Sequence, residues 1–249
     1  MTLYKVINED GSCAHGGDGT WSLPTRNEDG IWTPGDWWVV EGELELCENG
    51  LHMCDGEEQL VRWLGAAIFE AEYDGEIVRG DDKVVVRKAR LSRKFDAWNE
   101  RAARLFACDC AEHVLHIFED AYPDDTRPRQ AVETARRFAN GQATQSELGA
   151  ARTTARTAEM YAPEPATWAV ARSAAWTAAE PAPEPATWVA VRAAARAVAR
   201  AAAWAKAAAG AGARYATMYV TRAWDGAAER EWQAERLRWY LSGGNDETL

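Results

Sequence analysis

The stretch that decides the fold is DAWNERAARLFACDCAEHVLHIFEDAYPDDTRPRQAVETARRFANG, residues 96–141. Apolar residues in its first half recur near the 3.6-residue period of an α-helix: Leu105, Cys108, Leu115 and Phe118. The Tyr-Pro-Asp-Asp motif at 122–125 interrupts this period, because proline cannot continue a helix. Pro128 suits the first position of a second helix, and Asn140-Gly141 suits a left-handed C-cap. The stretch therefore predicts two helices joined by a turn.

The residues before this helical hairpin predict a small β-rich domain over 1–95. Short β-prone runs alternate with glycine-containing turns such as Asp74-Gly75, and the runs lie at 4–7, 37–40, 67–73 and 83–87. One short helix is expected from about residue 57 to 64. Tryptophans are concentrated in the first 40 residues and are expected to cover a thin core: Trp21, Trp32, Trp37 and Trp38.

The residues after the hairpin predict further helices, giving an alanine-rich helical domain over 96–241 and a flexible tail over 242–249. Of the 67 residues between 150 and 216, 30 are alanine. The motif Ala-Pro-Glu-Pro-Ala-Thr-Trp at 162–168 returns at 182–188, and its prolines mark breaks between helices. Thr144 and Glu147 form a capping-box pattern. Four tryptophans are expected to fill the larger gaps between the alanine faces: Trp168, Trp176, Trp188 and Trp204.

The fold class predicted from these patterns is α+β, with antiparallel helical hairpins in the second domain. No window approaches 18 consecutive apolar residues, so no membrane span is expected. The five cysteines, an odd number in a long chain, favour a reducing cytoplasm.

The net charge of −11 belongs to the N-terminal part of the chain. Residues 1–100 hold 21 acidic and 10 basic residues, whereas residues 101–249 hold 18 of each. Such acidity serves solubility, or it offers an acidic face to a basic protein partner such as a toxin, nuclease or defence protein. Direct binding to nucleic acid is disfavoured, because no basic stripe stands clear of acidic neighbours.

Three motifs carry a family resemblance: DCAEH at 109–113, DDTRPRQAVE at 124–133 and RRFANG at 136–141. With the helices to about residue 225, they resemble a helical domain found in bacterial and phage proteins and described as a "putative immunity protein". Residues 4–95 resemble an uncharacterised small domain common in phage genomes, through LCENGLHMC at 46–54 and the strands at 70–75 and 83–91. The resemblance implies a helical partner-binding module of bacterial or phage origin.

One candidate metal site lies in the N-terminal domain. Three thiols and an imidazole could form a tetrahedral zinc site, with the ligands Cys13, Cys47, His52 and Cys54. His15 lies two residues after the first cysteine. The alternative is a set of buried free cysteines beside a hydrogen-bonded histidine. No other cofactor is expected.

Two arrangements could support catalysis. On a continuous helix, Asp109, His113 and His116 would share one face and could act as acid and base or bind a metal ion. Three features of the N-terminal domain are Tyr-Lys-Val at 4–6, Gly-Leu-His at 50–52 and a helix with Gln59 and Trp63 before a strand. Through them the domain resembles small ADP-ribosyltransferases, nucleotide-using enzymes that need a nicotinamide pocket and a positioned glutamate. Glu70 and Glu72 are the candidates for that glutamate. The alternative is ordinary polar pairing on the surface.

Four arginines on or beside the second helix of the hairpin are candidates for gripping an acidic partner or a phosphate: Arg127, Arg129, Arg136 and Arg137. Local pairing with Asp124, Asp125 and Glu133 is the alternative. The sequence as a whole favours a non-catalytic protein that binds and blocks another protein, either an immunity protein or a phage-encoded antagonist of bacterial defence. The alternatives are the nucleotide-using transferase and a structural phage component.

Overall fold

The computed structural model describes residues 3–162, 164–178, 191–198 and 227–244. These residues divide into two compact units. The β unit contains residues 3–99 and 237–244, and the helical unit contains the described residues between 100 and 236. The predicted α+β class is confirmed, with a β-rich region followed by helices.

The β unit contains seven strands in the described part of the chain: β1 Leu3–Ile7, β2 Thr25–Arg26, β3 Trp32–Thr33, β4 Trp38–Val39, β5 Leu51–Met53, β6 Ala67–Arg79 and β7 Val84–Lys94. The main sheet has the order β1-β6-β7-β4, and β5 also pairs with β7. Strands β2 and β3 form a separate small hairpin. Tyr4 of β1 exchanges two backbone hydrogen bonds with Cys54, just after β5, so the strands curl around one core.

Strands β6 and β7 form a long hairpin with one apolar and one charged face. Ala71, Ala89 and Leu91 are buried in the core. The other face carries cross-strand ion pairs, including Glu72–Arg90 at 2.7 Å and Asp74–Lys88 at 2.9 Å, with Glu76–Arg87 and Glu70–Arg93 beside them. The two-residue period of a strand separates Glu72, Asp74, Lys88 and Arg90 from the buried residues, and register shifts beside Ala71 and after Asp74 bring Arg93 and Arg87 to the charged face as well.

The pair Asp74-Gly75 does not form the predicted turn. Strand β6 continues through it to Arg79, and the pairing register with β7 shifts between Asp74 and Ile77. Gly75 adopts a left-handed φ of 84°, which suits a β-bulge because glycine has no Cβ. The chain therefore bends within the strand rather than reversing.

The tryptophans of the N-terminal segment differ in burial. Trp21 lies in the core at 4% exposure, and Trp38 packs against the same core. Trp37 is exposed, and its ring lies beneath Lys88 and Arg90. Only part of this set therefore covers the core.

The helices among the described residues are α1 Glu57–Trp63, α2 Glu100–His113, α3 Leu115–Ala121, α4 Arg127–Ala139, α5 Gln145–Tyr161, α6 Pro165–Thr177, α7 at 191–198 and α8 Ala227–Leu241. Helix α1 is the short helix expected at 57–64. The first helix of the predicted hairpin is instead two helices. Val114 leaves helical geometry with φ −108° and ψ 5°, and its carbonyl accepts a hydrogen bond from the amide of Ile117.

The ends of α4 and α5 confirm the capping predictions. Pro128 lies in the first turn of α4. Gly141 follows α4 with a φ of 71°, and the amides of Gly141 and Gln142 bond the carbonyls of Phe138 and Arg137 in a Schellman motif. Thr144 and Glu147 form the capping box that starts α5.

Alanine dominates the helical core, whose buried members are Cys108, Ala111, Ala131, Val132, Ala135, Leu148, Ala155, Ala174, Ala175 and Ala178. Small side chains let the helix backbones approach closely. Trp168 and Trp176 do not fill this core, because both are half-buried beside Arg172. The second repeat copy at 182–188, Trp188, Trp204 and residues 245–249 of the predicted tail lie outside the described residues.

The last turn of α8 belongs to the β unit and makes a partly buried polar contact there. Arg238 donates two hydrogen bonds to Glu57, at 3.1 and 3.0 Å, and Tyr4 donates a third at 2.8 Å. Burial opposes ionisation of Glu57, but the hydrogen bonds from Arg238 and Tyr4 outweigh it and lower its pKa. Glu57 is therefore held as a carboxylate between α1, β1 and α8.

The capping box of α5 makes a stability prediction. Substitution of Thr144→Ala removes the hydroxyl that accepts a hydrogen bond from the Glu147 amide, and we expect a loss of about 1 kcal/mol in unfolding free energy. Thr153→Ala is the control, because that exposed hydroxyl only donates to the carbonyl of Gly149, and its effect should stay within about 0.5 kcal/mol. Urea unfolding followed by far-ultraviolet circular dichroism measures both. Equal losses would contradict the assignment.

Candidate functional site

The β unit contains a cavity of about 500 Å³ that opens to solvent beside the exposed loop at 15–18. This volume lies within the range of small-molecule binding sites. Its lining combines aromatic, basic and thiol side chains, among them Lys5, Trp21, Trp38, His52, Cys54, Trp63 and Lys83. The cavity is the candidate ligand site of the β unit.

Two glycines let the backbone approach this cavity closely. A Cβ on Gly19 would lie 1.9 Å from the Trp38 ring, and a Cβ on Gly50 would lie 2.2 Å from a methyl group of Val85. Gly50 also has a φ of 124°, a backbone angle that residues with a side chain rarely adopt. The shape of the cavity wall therefore depends on glycine at both positions.

Lys5 places an ammonium group at the cavity. Its Nζ donates to the carbonyl of His52 at 2.8 Å and lies 5.2 Å from the centre of the Trp21 ring. Burial lowers the pKa of Lys5, because its charged form loses hydration. The period of β1 puts Lys5 on the same face as Leu3 and Ile7, which are both fully buried.

The indole N–H of Trp21 is buried and has no hydrogen-bond partner within the described part of the chain. An unsatisfied buried donor of this kind costs roughly 1–3 kcal/mol. The Trp38 ring lies edge-on to Trp21, with the ring centres 4.9 Å apart. Trp21, which carries this unused donor, therefore has its ring centre 5.2 Å from the Lys5 ammonium.

The predicted zinc residues all line this cavity, and the contacts of His52 and Cys54 bear on whether they could hold a metal ion. The Nε2 of His52 accepts a hydrogen bond of 2.8 Å from the Cys47 amide. Burial lowers the pKa of His52 and raises that of Cys54 to about 12, which disfavours the thiolate that zinc needs. Among the described residues, no group of three or more His, Cys, Asp and Glu residues, Cys13 included, is placed to hold a metal ion.

The glutamates proposed for a transferase lie elsewhere. Glu70 and Glu72 form ion pairs with Arg93 and Arg90 on the charged face of the β6–β7 hairpin, and neither lines the cavity. The arrangement of a nicotinamide pocket around His52 with a strand glutamate is therefore not present among the described residues.

In the helical unit, Asp109 is 9% exposed and accepts hydrogen bonds from two arginines. Arg136 of α4 approaches one carboxylate oxygen at 2.8 Å, and Arg236 of α8 approaches the other at 2.7 Å. Arg136 also donates to Glu112 at 2.6 Å. A buried carboxylate needs such compensation, so these contacts join α2, α4 and α8.

The other three candidate arginines are also engaged within the helical unit. Arg127 binds Asp125 with two hydrogen bonds, at 2.7 and 2.6 Å, and Arg129 binds Glu119 with two, at 2.5 and 2.8 Å. The fourth, Arg137, lies 3.3 Å from Glu147. From the sequence, local pairing with Asp124, Asp125 and Glu133 is the alternative to partner binding. Arg127 does pair with Asp125. Neither Asp124 nor Glu133 forms an ion pair among the described residues.

The proposed acid–base face on α2 is not assembled. Asp109 is occupied by the two arginines, and His116 lies on α3, beyond the break at Val114. His113 instead bonds Glu229 at 2.8 Å and stacks on Trp232, with ring centres 3.9 Å apart. Burial raises the pKa of Glu229 despite the opposing contact with His113.

The outer face of α5 exposes large side chains. Met160 is 82% exposed and Tyr161 is 72% exposed. Arg152 and Arg156 precede Met160 at four-residue intervals, so the three share one stripe of the helix. No ion pair involves either of these arginines among the residues that the structure describes. This stripe with Tyr161 is here named the α5 face.

The helical hairpin and the helices that pack on it can now be compared with known families. Residues 93–182 match the family model described as "Imm-5 like putative immunity protein". Residues 1–103 match the model described as "Domain of unknown function (DUF7666)". No curated protein and no solved structure is significantly similar to the chain. Among the described residues, no helix is both long and apolar enough to span a membrane.

The immunity-like region, residues 93–182, contains all four candidate arginines and the α5 face. Sequence reasoning missed the α5 face, although Met160-Tyr161 stands out in a helix otherwise rich in Ala, Thr and Arg. It also missed Lys5. The feature that could have revealed it is a basic residue at a position where the two-residue period of the strand, set by Leu3 and Ile7, predicts an apolar one. Both signals are visible once the helix and strand periods are applied to these segments.

The contacts of Asp109 predict how the immunity-like region responds to mutation. Substitution of Asp109→Asn leaves Arg136 and Arg236 without their shared carboxylate, and we expect a loss of about 1–3 kcal/mol, because the arginines are partly solvated. Glu112→Gln is the control at the exposed end of Arg136 and should cost less than about 1 kcal/mol. Denaturant unfolding of the full chain measures both. A larger loss for the control would refute the assigned role of Asp109.

Proposed function

We propose that this chain is an immunity protein that binds a protein toxin and blocks it without performing catalysis. The observation that carries the proposal is the match of residues 93–182 to an immunity-protein family model. All five cysteines are free thiols, which supports action in the reducing cytoplasm of a bacterial host, whether the gene is bacterial or phage-encoded.

The pairing of the arginines indicates which surface of the immunity-like region meets the toxin. Arg127, Arg129, Arg136 and Arg137 already bind carboxylates of their own chain, so a partner would have to break those contacts. The α5 face is exposed and combines methionine, tyrosine and arginine, which are enriched in protein interfaces. We assign the toxin contact to the α5 face.

The charge of the β unit favours a toxin that is basic overall, whereas the part of the toxin that meets Arg152 and Arg156 of the α5 face should not itself be basic. Residues 27–61 contain ten acidic residues and no lysine or arginine. Four of the acidic side chains, at 41, 43, 45 and 48, are exposed and form no ion pair with any described residue. A negative field of this kind raises the association rate of a positively charged partner more than it raises affinity.

Where a toxin gene adjoins the gene of this chain, co-expression of the two tests the proposal. We expect the chain to restore growth of the host and to form a stable complex with the toxin on size-exclusion chromatography. The double substitution Met160→Ala with Tyr161→Ala should weaken binding about tenfold or more, because truncating interface anchors costs more than about 1 kcal/mol each.

The matched control for this experiment removes two exposed apolar side chains of the β unit, with Ile31→Ala and Val39→Ala. This control should leave toxin affinity unchanged within about twofold. Failure of the unmodified chain to protect the host or to bind the toxin would refute the immunity function. Unchanged affinity of the folded Met160/Tyr161 variant would refute the assigned surface.

A further inference from the structure

The cavity of the β unit is lined by charged and aromatic side chains that the proposed immunity function does not use. Its charged lining residues are Lys5, Lys83, Asp18 and Glu48. The two carboxylates lie at exposed positions, whereas Lys5 is half-buried beside the buried Trp21. The interior of a strongly acidic unit is thus basic, which is the reverse of its surface.

Two side chains of the cavity lining, Lys5 and Trp21, carry N–H donors that are not all used within the described structure. The Lys5 ammonium has three N–H donors, and the hydrogen bond found for it in the described structure is to the carbonyl of His52. The buried Trp21 indole N–H has no acceptor among the same residues. A group that supplies two acceptor oxygens, and preferably a negative charge, would satisfy both side chains.

Two further tryptophans, Trp38 and Trp63, also line the cavity. Trp38 packs edge-on to Trp21, with ring centres 4.9 Å apart. Trp63 lies on the cavity with the Lys83 ammonium 4.7 Å from its ring centre. Indole surfaces of this kind stack on planar aromatic ligands.

We propose that this cavity binds a small planar aromatic molecule that carries one anionic group. The anionic oxygens accept hydrogen bonds from Lys5 Nζ and Trp21 Nε1, and the ring of the ligand lies against Trp38 and Trp63. Gly19 and Gly50 keep the cavity open, because a side chain at either position would collide with Trp38 or Val85. The cavity therefore selects a ligand that has both an oxyanion and an aromatic ring in one molecule.

Isothermal titration calorimetry of the full chain with two matched ligand pairs tests this proposal. The anionic probes are indole-3-acetate and adenosine monophosphate, and their neutral counterparts are indole-3-acetamide and adenosine. We expect at least one anion to bind with a Kd of about 1 mM or tighter, and its neutral counterpart to bind about tenfold more weakly.

Substitutions then assign the binding to the cavity. Lys5→Met should weaken anion binding about tenfold, because it removes the charged donor. Lys88→Met is the matched control, since Lys88 lies over Trp37 on the charged face of the β6–β7 hairpin and does not line the cavity. Trp21→Phe keeps an aromatic ring but removes the N–H, and it should weaken binding of the anion about threefold or more.

A nuclear magnetic resonance titration keeps the test independent of how well Lys5→Met folds. The indole N–H signal of Trp21 is assigned by its absence in Trp21→Phe, and it should shift when the bound anion is added to the unmodified chain. Absence of anion binding up to about 10 mM, equal affinity for the neutral counterpart, an unaffected Lys5→Met variant or an unmoved Trp21 signal would each overturn the proposal. None of these outcomes depends on whether the chain protects against a toxin.

Discussion

The helical unit depends on the ion pairs that the carboxylate of Asp109 forms with two arginines. A buried carboxylate is costly to desolvate unless cations reach it, and here they come from Arg136 of α4 and Arg236 of α8, which are 100 residues apart in sequence. The contacts hold three helices in one arrangement. They also engage an arginine that would otherwise be available to a partner. The same ionic compensation therefore stabilises the packing of the unit and favours α5, rather than the arginines of α4, as the proposed binding surface.

Lys5 in the β unit presents the opposite case. Asp109 receives two arginines from its own chain, whereas the ammonium of Lys5 has a backbone carbonyl and the face of an indole ring. Burial depresses the pKa of Lys5, and the neighbouring Trp21 N–H has no acceptor in the described structure. A charge fully compensated within the fold indicates a structural role, and a charge left facing a cavity indicates a ligand. This contrast is the physical basis for assigning packing to Asp109 and binding to Lys5.

Features that depend on local sequence were predictable. Pro128, Gly141 and the pair Thr144/Glu147 set helix ends through backbone geometry and short-range hydrogen bonds, and the structure confirms each. The break at Val114 was missed, because apolar periodicity continued from α2 into α3 and no proline or glycine marked it.

The candidate sites depended on contacts between residues far apart in sequence, and these were harder to predict. Arg136 pairs with Asp109, 27 residues earlier, rather than with a neighbour. The four supposed zinc ligands do line one cavity, but backbone contacts occupy His52. The grouping of these four residues in one cavity was predictable from the sequence, whereas the contacts that each one makes were not.

Hydrogen–deuterium exchange of the full chain, with and without the proposed toxin partner, tests the central assignment most directly. If α5 carries the contact and the arginines of α4 serve the fold, toxin should slow amide exchange in residues 153–161 and leave residues 127–139 unchanged. Slower exchange over 127–139 with no change over 153–161 would contradict the account, because it would show that the arginine side of the immunity-like region meets the toxin.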